Sequence, residues 1–313
     1  MNKNVMACIT AYYPGIEFEN ICRIISQQTG LLLVIDNSLE GNLNQQGINF
    51  TGNTIIIINK NKDTISGALN IALDYARDNN FEYLHIFDQD TVPPENITSA
   101  LVKDFKTEPA AVIISPRFIN SSTNFPGRVL SGVSKWKVKS VWPKLDVGMM
   151  EVLFTISSAS LICITRLPED SFYDTRLVID GCDIDFCLYL RNAGFKIFTD
   201  TSVCVYHGIG ARKKGGGRWS ATNYSPLRKQ LGAKNRVIIW KRYWNNYPGY
   251  VLNDFYVFLL DSARTLLLEK NHFSKLTALC KGIWQGIREK NISERKGLNQ
   301  DLKQIEQHFE EKI

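Results

Sequence analysis

Residues 81–95 read FEYLHIFDQDTVPPE, and they constrain the chain more than any other stretch. The apolar run Tyr83–Phe87 stops at two aspartates one residue apart, Asp88 and Asp90, and a Thr-Val-Pro-Pro break follows. A buried strand that delivers paired carboxylates to the open end of a parallel sheet is well placed to hold a hard divalent cation, and through it a diphosphate. The Asp-x-Asp spacing recurs at Asp183-Ile184-Asp185, so the spacing alone is a weak signal. The strand before the first pair and the turn after it make that pair informative.

The rest of the chain supplies such a sheet. Short apolar runs at Val5–Thr10, Leu31–Ile35, Thr54–Ile58, Tyr83–Phe87 and Ala110–Ser115 read as strands. Helical periodicity fills the gaps at Phe18–Gln28 and Ser66–Arg77, where Ala68, Leu69, Ala72, Leu73 and Ala76 share one face. Strands alternating with helices predict an α/β fold with a mostly parallel central sheet. Residues 120–144 read as loop, and Lys196–Phe198 and Val203–Gly210 as a strand and a further apolar run. From Leu231 the pattern turns helical, and 289–313 reads as a polar helix or tail. The expected division is therefore a nucleotide-binding α/β domain over 1–230 and a helical region over 231–313.

At 313 residues, 44% hydrophobic and 22% charged, the chain has ordinary globular usage. The N-terminus shows no signal pattern, and no apolar stretch reaches the roughly 20 residues of a membrane-spanning helix. Seven scattered cysteines without CxxC or zinc-ligand spacing read as reduced residues of a cytosolic protein. Charge is uneven: residues 1–200 carry 17 Lys/Arg against 22 Asp/Glu, whereas 201–290 carry 16 against 4. That basic segment also holds Trp219, Trp240, Trp244 and Trp284. The combination suits an anionic membrane surface or nucleic acid. A helical subdomain with a solvated basic face, or one making a homo-oligomer contact, accounts for it equally well. The acidic clusters argue against a nucleic-acid module.

Polar groups follow three strands in order: Thr10, Asp36-Asn37 and Asp88-Asp90. Ligands of open α/β sheets sit beyond the carboxyl ends of strands. Asp36 alone would suit an Asx turn or a cap. Its place ahead of Asp88 favours contact with a nucleoside. No GxGxxG follows the first strand and no GxxxxGK[ST] occurs, which excludes the common dinucleotide-binding and P-loop signatures. A nucleotidyltransferase would use similar carboxylates, but its basic glycine-rich turn is replaced here by Tyr12-Tyr13-Pro14-Gly15.

The second acidic cluster, Asp180-Gly181-Cys182-Asp183-Ile184-Asp185, opens a helix that ends near Gly194. Three acids in six residues exceed what a helix dipole needs. One of them can serve as general base toward a hydroxyl. Farther on, His207 closes an apolar run and enters the basic glycine-rich stretch Arg212–Arg218, a loop able to fold over a diphosphate.

Together these residues resemble the family 2 glycosyltransferases, inverting enzymes of the GT-A fold that use nucleotide-activated sugars. The shared pieces are Val5-x-Ala7-x-Ile9-Thr10-x-Tyr12, Asp36-Asn37-Ser38, Asn59-Lys60-Asn61 with Gly67–Asn70, Phe87-Asp88-Gln89-Asp90, Ile179–Asp185 with Leu190-Arg191 and Ala193–Phe195, and His207–Gly210. They span roughly residues 5–245. Within the family the Phe-Asp-Gln-Asp form resembles bacterial rhamnosyltransferases of O-antigen and related surface polysaccharides.

The resemblance implies a donor site at Thr10, Tyr12, Asp36, Asn59, Asp88, Asp180 and Arg212. It implies Mg²⁺ or Mn²⁺ held by Asp88, Asp90 and His207, and Asp183 as catalytic base. Cys182 stands where the family has a glutamate, so Asp180 and Asp185 stay open as alternatives for the base. Leu231–Arg236 matches a downstream family motif loosely and carries no assigned role. The implied reaction is transfer of L-rhamnose from dTDP-L-rhamnose to a lipid-linked glycan at the cytoplasmic face of the membrane. A UDP-sugar is the alternative donor.

Overall fold

The computed structural model describes residues 1–41, 43, 48–121, 124–131, 134–145, 147–207, 223–290 and 295. The strands are β1 (Asn2–Ala11), β2 (Thr29–Asp36), β3 (Thr54–Ile58), β4 (Tyr83–Asp88), β5 (Ala111–Asn120), β6 (Val129–Ser131), β7 (Lys139–Val141), β8 (Met149–Val152), β9 (Leu161–Cys163) and β10 (Lys196–His207). The helices are α1 (Phe18–Ser26), α2 (Thr64–Asp78), α3 (Ile97–Thr107), α4 (Cys182–Asn192), α5 (Pro226–Tyr243), α6 (Pro248–Leu268) and α7 (His272–Arg288).

Eight strands form one sheet in the order β3-β2-β1-β4-β9-β5-β10-β8, and β6 pairs with β7 in a separate ribbon. The half built from β3, β2, β1 and β4 is parallel throughout. β9 enters antiparallel between β4 and β5, and β8 closes the far edge antiparallel to β10. The sheet is thus the expected mostly parallel α/β sheet with two antiparallel insertions.

Alternation along β1 explains the layering. Met6 and Cys8 face a core shared with α2, α4 and α5, while Val5, Ala7, Ile9 and Ala11 face α1 and α3. A strand covered on both faces reads as a continuous apolar run, and this is how β1, β2 and β4 look in sequence.

Several boundaries differ from those expected. Residues 120–144 contain the β6–β7 ribbon, whose short strands carry too little apolar signal to stand out. β10 is one strand because a bulge between Asp200 and Cys204 absorbs the polar residues that looked like a break. The helical region starts at Pro226, before Leu231, with the Ser225 hydroxyl accepting from Arg228 N at 3.2 Å. That region also contributes to the core beneath the sheet. Ile238 and Ile239 of α5 and Tyr250 of α6 belong to the same buried cluster as Met6 of β1. α7 lies close on α5 because Gly282 has no Cβ, which would stand 2.1 Å from the Gln230 carbonyl oxygen. All seven cysteines are free, and five of them are buried.

Candidate active site

The strand order reverses between β1 and β4. β1 leads to β2 and β3 on one side, and the chain returns to lay β4 on the other. This is the crevice where ligands of open α/β sheets bind. Register places Thr10 opposite Asp88 and Ala11 opposite Asp36, so three of the expected positions share one edge of the sheet. The Thr10 hydroxyl oxygen is buried without a hydrogen-bond partner among the described residues. Asp88 is half-buried and Asp90 exposed. Beyond them Val92 forms a bridge to Tyr206, which brings the end of β10, and the backbone of His207, alongside the turn that follows the aspartates. Arg212 and the glycine-rich basic loop lie outside the described residues.

Not every expected donor-site residue is exposed. Asp36 has no exposed surface; its two carboxylate oxygens accept the backbone amides of Ser38 at 2.8 Å and Leu43 at 3.0 Å. It therefore shapes the loop after β2, the Asx-turn role, instead of presenting a carboxylate to a ligand. Asn59 is buried too, donating to Asn37 Oδ1 at 2.6 Å and the Lys62 carbonyl at 2.9 Å. Tyr12 is exposed and meets Tyr13 edge to face, with ring centroids 4.8 Å apart. Its backbone is held by Gln89: Oε1 accepts from Tyr12 N at 2.6 Å, and Nε2 donates to Tyr12 O at 3.2 Å.

The three candidate bases separate by environment. They stand at the start of α4, which is entered through two successive left-handed residues, Asp180 (φ 57°) and Gly181 (φ 94°). Such a turn is strained at a non-glycine position. The Asn235 amide holds it by donating to the carbonyls of Ile179 at 2.6 Å and Asp180 at 3.0 Å. The Asp180 carboxylate takes both arms of Arg228, at 2.9 and 3.3 Å, and that guanidinium lies 3.9 Å from the Tyr224 ring centre. Asp185 is fully buried and tied to Arg242, to the Tyr243 hydroxyl at 3.1 Å and to Arg295 at 3.1 Å. Arg242 also reaches Asp174 at 2.7 Å, so Asp185 belongs to an ionic network joining α4 to α5.

Asp183 is bound differently: its oxygen accepts from Ile184 N at 2.9 Å, and no ion pair engages it among the described residues. Burial pushes its carboxyl up to about 6, and the charges of Asp180 and Asp88 push the same way. Asp183 thus lies within electrostatic reach of Asp88 at the end of β4. Asp183 also lines a cavity of about 350 Å³ between the start of α4 and helices α5 and α6, with Tyr224, Arg228, Tyr250 and Phe258 in its wall. Nearby Cys187 is pushed up to about 12 by burial, so it is an inert core thiol.

Among the described residues no group of three or more His, Cys, Asp or Glu side chains is placed to hold a metal ion. The Asp88 carboxylate, in register with Thr10, and Asp90 two residues on are oxygen donors of the kind suited to Mg²⁺ or Mn²⁺, which also take phosphate oxygens and water.

Residues 19–155 match the profile of the family described as glycosyl transferase family 2. Solved structures align over nearly the whole chain. GalNAc-T7 with UDP, GalNAc and Mn²⁺ is 15% identical with a TM-score of 0.57, over 91% of this chain and 56% of that one. This chain thus spans little more than half of that structure. The fold is the GT-A fold of glycosyltransferases. TarS residues 1–349 from S. aureus align with 10% identity and a TM-score of 0.56, over 92% and 81% of the two chains. The mannosyltransferase PcManGT from Pyrobaculum calidifontis, in complex with GDP-Man and Mn²⁺, aligns with 12% identity and a TM-score of 0.56, over 92% and 88%. At these identities the likeness is one of fold. No curated protein matches the chain in sequence.

Arg228, Asn235 and Arg242 were not readable as site residues, because each acts across a long sequence separation. The one signal was the Lys234-Asn235-Arg236 stretch, which the structure places against the turn before α4.

Proposed function

We propose that the protein is a metal-dependent, inverting glycosyltransferase. The observation that carries this reading is the placement of Asp88, with Asp90 two residues on, at the switch point of a GT-A sheet, and Asp183 near enough to feel the Asp88 charge. Asp88 and Asp90 would hold Mg²⁺ or Mn²⁺, which when bound stabilises the charge growing on the diphosphate leaving group. Thr10 and Tyr12 border the donor, and the loop shaped by Asp36 and Asn59 presents the nucleoside contact. His207 and Arg212 complete the grip on the diphosphate.

Asp183 takes the proton of the acceptor hydroxyl as that oxygen attacks the anomeric carbon and the bond to diphosphate breaks. One base and one displacement invert the anomeric configuration. The acceptor sugar occupies the cavity beside Asp183, where aromatic faces and charged hydrogen-bonding groups meet.

The donor of this reading is dTDP-L-rhamnose, and the acceptor is a lipid-linked glycan of a surface polysaccharide at the cytoplasmic membrane face. A UDP-sugar is the second reading, since the Gln89 amide is engaged by the Tyr12 backbone and so does not itself select rhamnose. Thermal-shift titration of the protein with dTDP-rhamnose, UDP-sugars and GDP-mannose, each with and without Mn²⁺, tests both. Metal-dependent stabilisation by dTDP-rhamnose alone supports the first reading, and by a UDP-sugar alone the second. Absence of metal-dependent stabilisation by any nucleotide sugar rejects the glycosyltransferase assignment.

A further inference from the structure

α6 turns one side inward, where Asp254, Phe258 and Asp261 line the cavity beside Asp183. Among the described residues its other side is uncovered. Leu252, Phe255, Tyr256, Leu259, Leu266 and Leu267 recur at helical spacing, and all are exposed, Leu259 by 50% and Leu267 by 72%. The stripe holds no charged residue and extends along most of a helix about 30 Å long. At its N-terminal end it runs into an apolar groove lined by Trp240, Trp244, Val251 and the Lys241 stem. The Lys241 ammonium also bonds the carbonyls of Ile287 at 2.8 Å and Glu289 at 3.1 Å, so the end of α7 adjoins the same groove. There Ile287 and Trp284 are exposed, and the Arg288 guanidinium lies 3.8 Å from the Trp284 ring centre.

The surrounding charge says what covers this face. Every acid from 226 to 290 is already ion-paired: Asp254 with Arg236, Asp261 with Arg264, Glu269 with Lys229 and Lys275, Glu289 with Lys234. Lys270, Lys281 and Lys290 are exposed, with no ion pair among the described residues. The face is therefore an apolar strip with tryptophans and a rim whose unpaired charges, among the described residues, are cationic. A second copy of the chain, joined about a two-fold axis, would set that rim against itself. A layer of anionic headgroups over acyl chains complements both rim and strip. Among the described residues no helix is long and apolar enough to cross a membrane, so contact of this kind lies in the interface plane.

We propose that α6, with the adjoining end of α7, is an interfacial membrane-binding face that seats the acceptor cavity at an anionic lipid surface. This deepens the membrane reading given above, and its test needs no nucleotide sugar, so it stands or falls apart from sugar transfer. Co-sedimentation is measured with vesicles of phosphatidylcholine mixed with phosphatidylglycerol, and of phosphatidylcholine alone, at low and high salt. The protein should bind the mixed vesicles at low salt, release at high salt, and leave neutral vesicles largely alone. Leu259→Glu, and separately Lys281→Glu with Arg288→Glu, should each weaken binding about tenfold with an unchanged melting temperature. Absence of binding to the mixed vesicles overturns the proposal, and so does undiminished binding by the folded Leu259→Glu variant. A solution dimer that Leu259→Glu dissociates, with no vesicle binding, would assign the face to a second copy instead.

Discussion

The side chain of Gln89 grips the backbone of Tyr12 from both sides, accepting from its amide and donating to its carbonyl across 77 residues of sequence. The central residue of the Asp-Gln-Asp motif thereby ties the loop after β1 to the carboxylates at the end of β4. Both loops border the crevice, so a side chain lying between two acidic neighbours holds the two loops together.

Removing that clamp should act on donor binding. Two hydrogen bonds of about 1 kcal/mol each are lost in Gln89→Ala. The donor KM should rise roughly 10- to 30-fold while kcat changes less, with the fold retained. Steady-state kinetics over a donor series reads the split. An unchanged KM would mean that Tyr12 is held by other contacts.

Asp183→Asn keeps the shape of the side chain and removes its proton acceptor. Transfer should fall on the order of 10²–10⁴-fold with donor affinity preserved. The same variant should be more stable at neutral pH, by on the order of a few degrees in Tm, because a carboxylate whose folded pKa is raised is disfavoured when ionised. Single-turnover transfer and thermal melting together distinguish this from general damage, which would lower both.

The pH dependence follows from the same group. Burial raises the Asp183 carboxyl to about 6, and a general base works only when deprotonated. Turnover should therefore decline as pH falls through about 6, whereas the stability contribution of protonated Asp183 is fully present below the ordinary value of 3.8 and is lost as pH rises from there to about 6. A kcat profile flat down to pH 4 would remove Asp183 from the base role.

Asp185 offers the contrast. Its carboxylate is the buried partner of Arg242 and Arg295, so Asp185→Asn leaves two cations short of a counter-charge. Breaking a buried pair in this way costs about 3–5 kcal/mol. Chemical denaturation should show that loss, while the fraction that remains folded keeps a kcat far above that of Asp183→Asn.

Much of this site could be read from residues alone because its markers are local. The strand Tyr83–Asp88 announces itself by an apolar run with acids at its end, and Thr54–Ile58 by β-branched residues between turns. What could not be read depends on partners distant in sequence. Asp183 and Asp185 have equal claims in a string of letters; Arg242 and Tyr243, more than 50 residues away, set them apart. Asp36 looked like a ligand contact because its two amide partners include Leu43, beyond the reach of a local Asx pattern. The antiparallel entry of β9 between β4 and β5 is likewise invisible, since three apolar residues carry no mark of direction.

The proposed activity depends most on Asp88 and Asp90 gripping a nucleotide diphosphate through a divalent cation. Calorimetric titration of dTDP and UDP into the protein, with Mn²⁺ and with chelator, tests this directly when repeated on folded Asp90→Ala. At least one nucleotide should bind the wild type only with Mn²⁺ and should fail to bind Asp90→Ala. Equal nucleotide affinity with and without Mn²⁺, or undiminished metal-dependent binding by the variant, would contradict it.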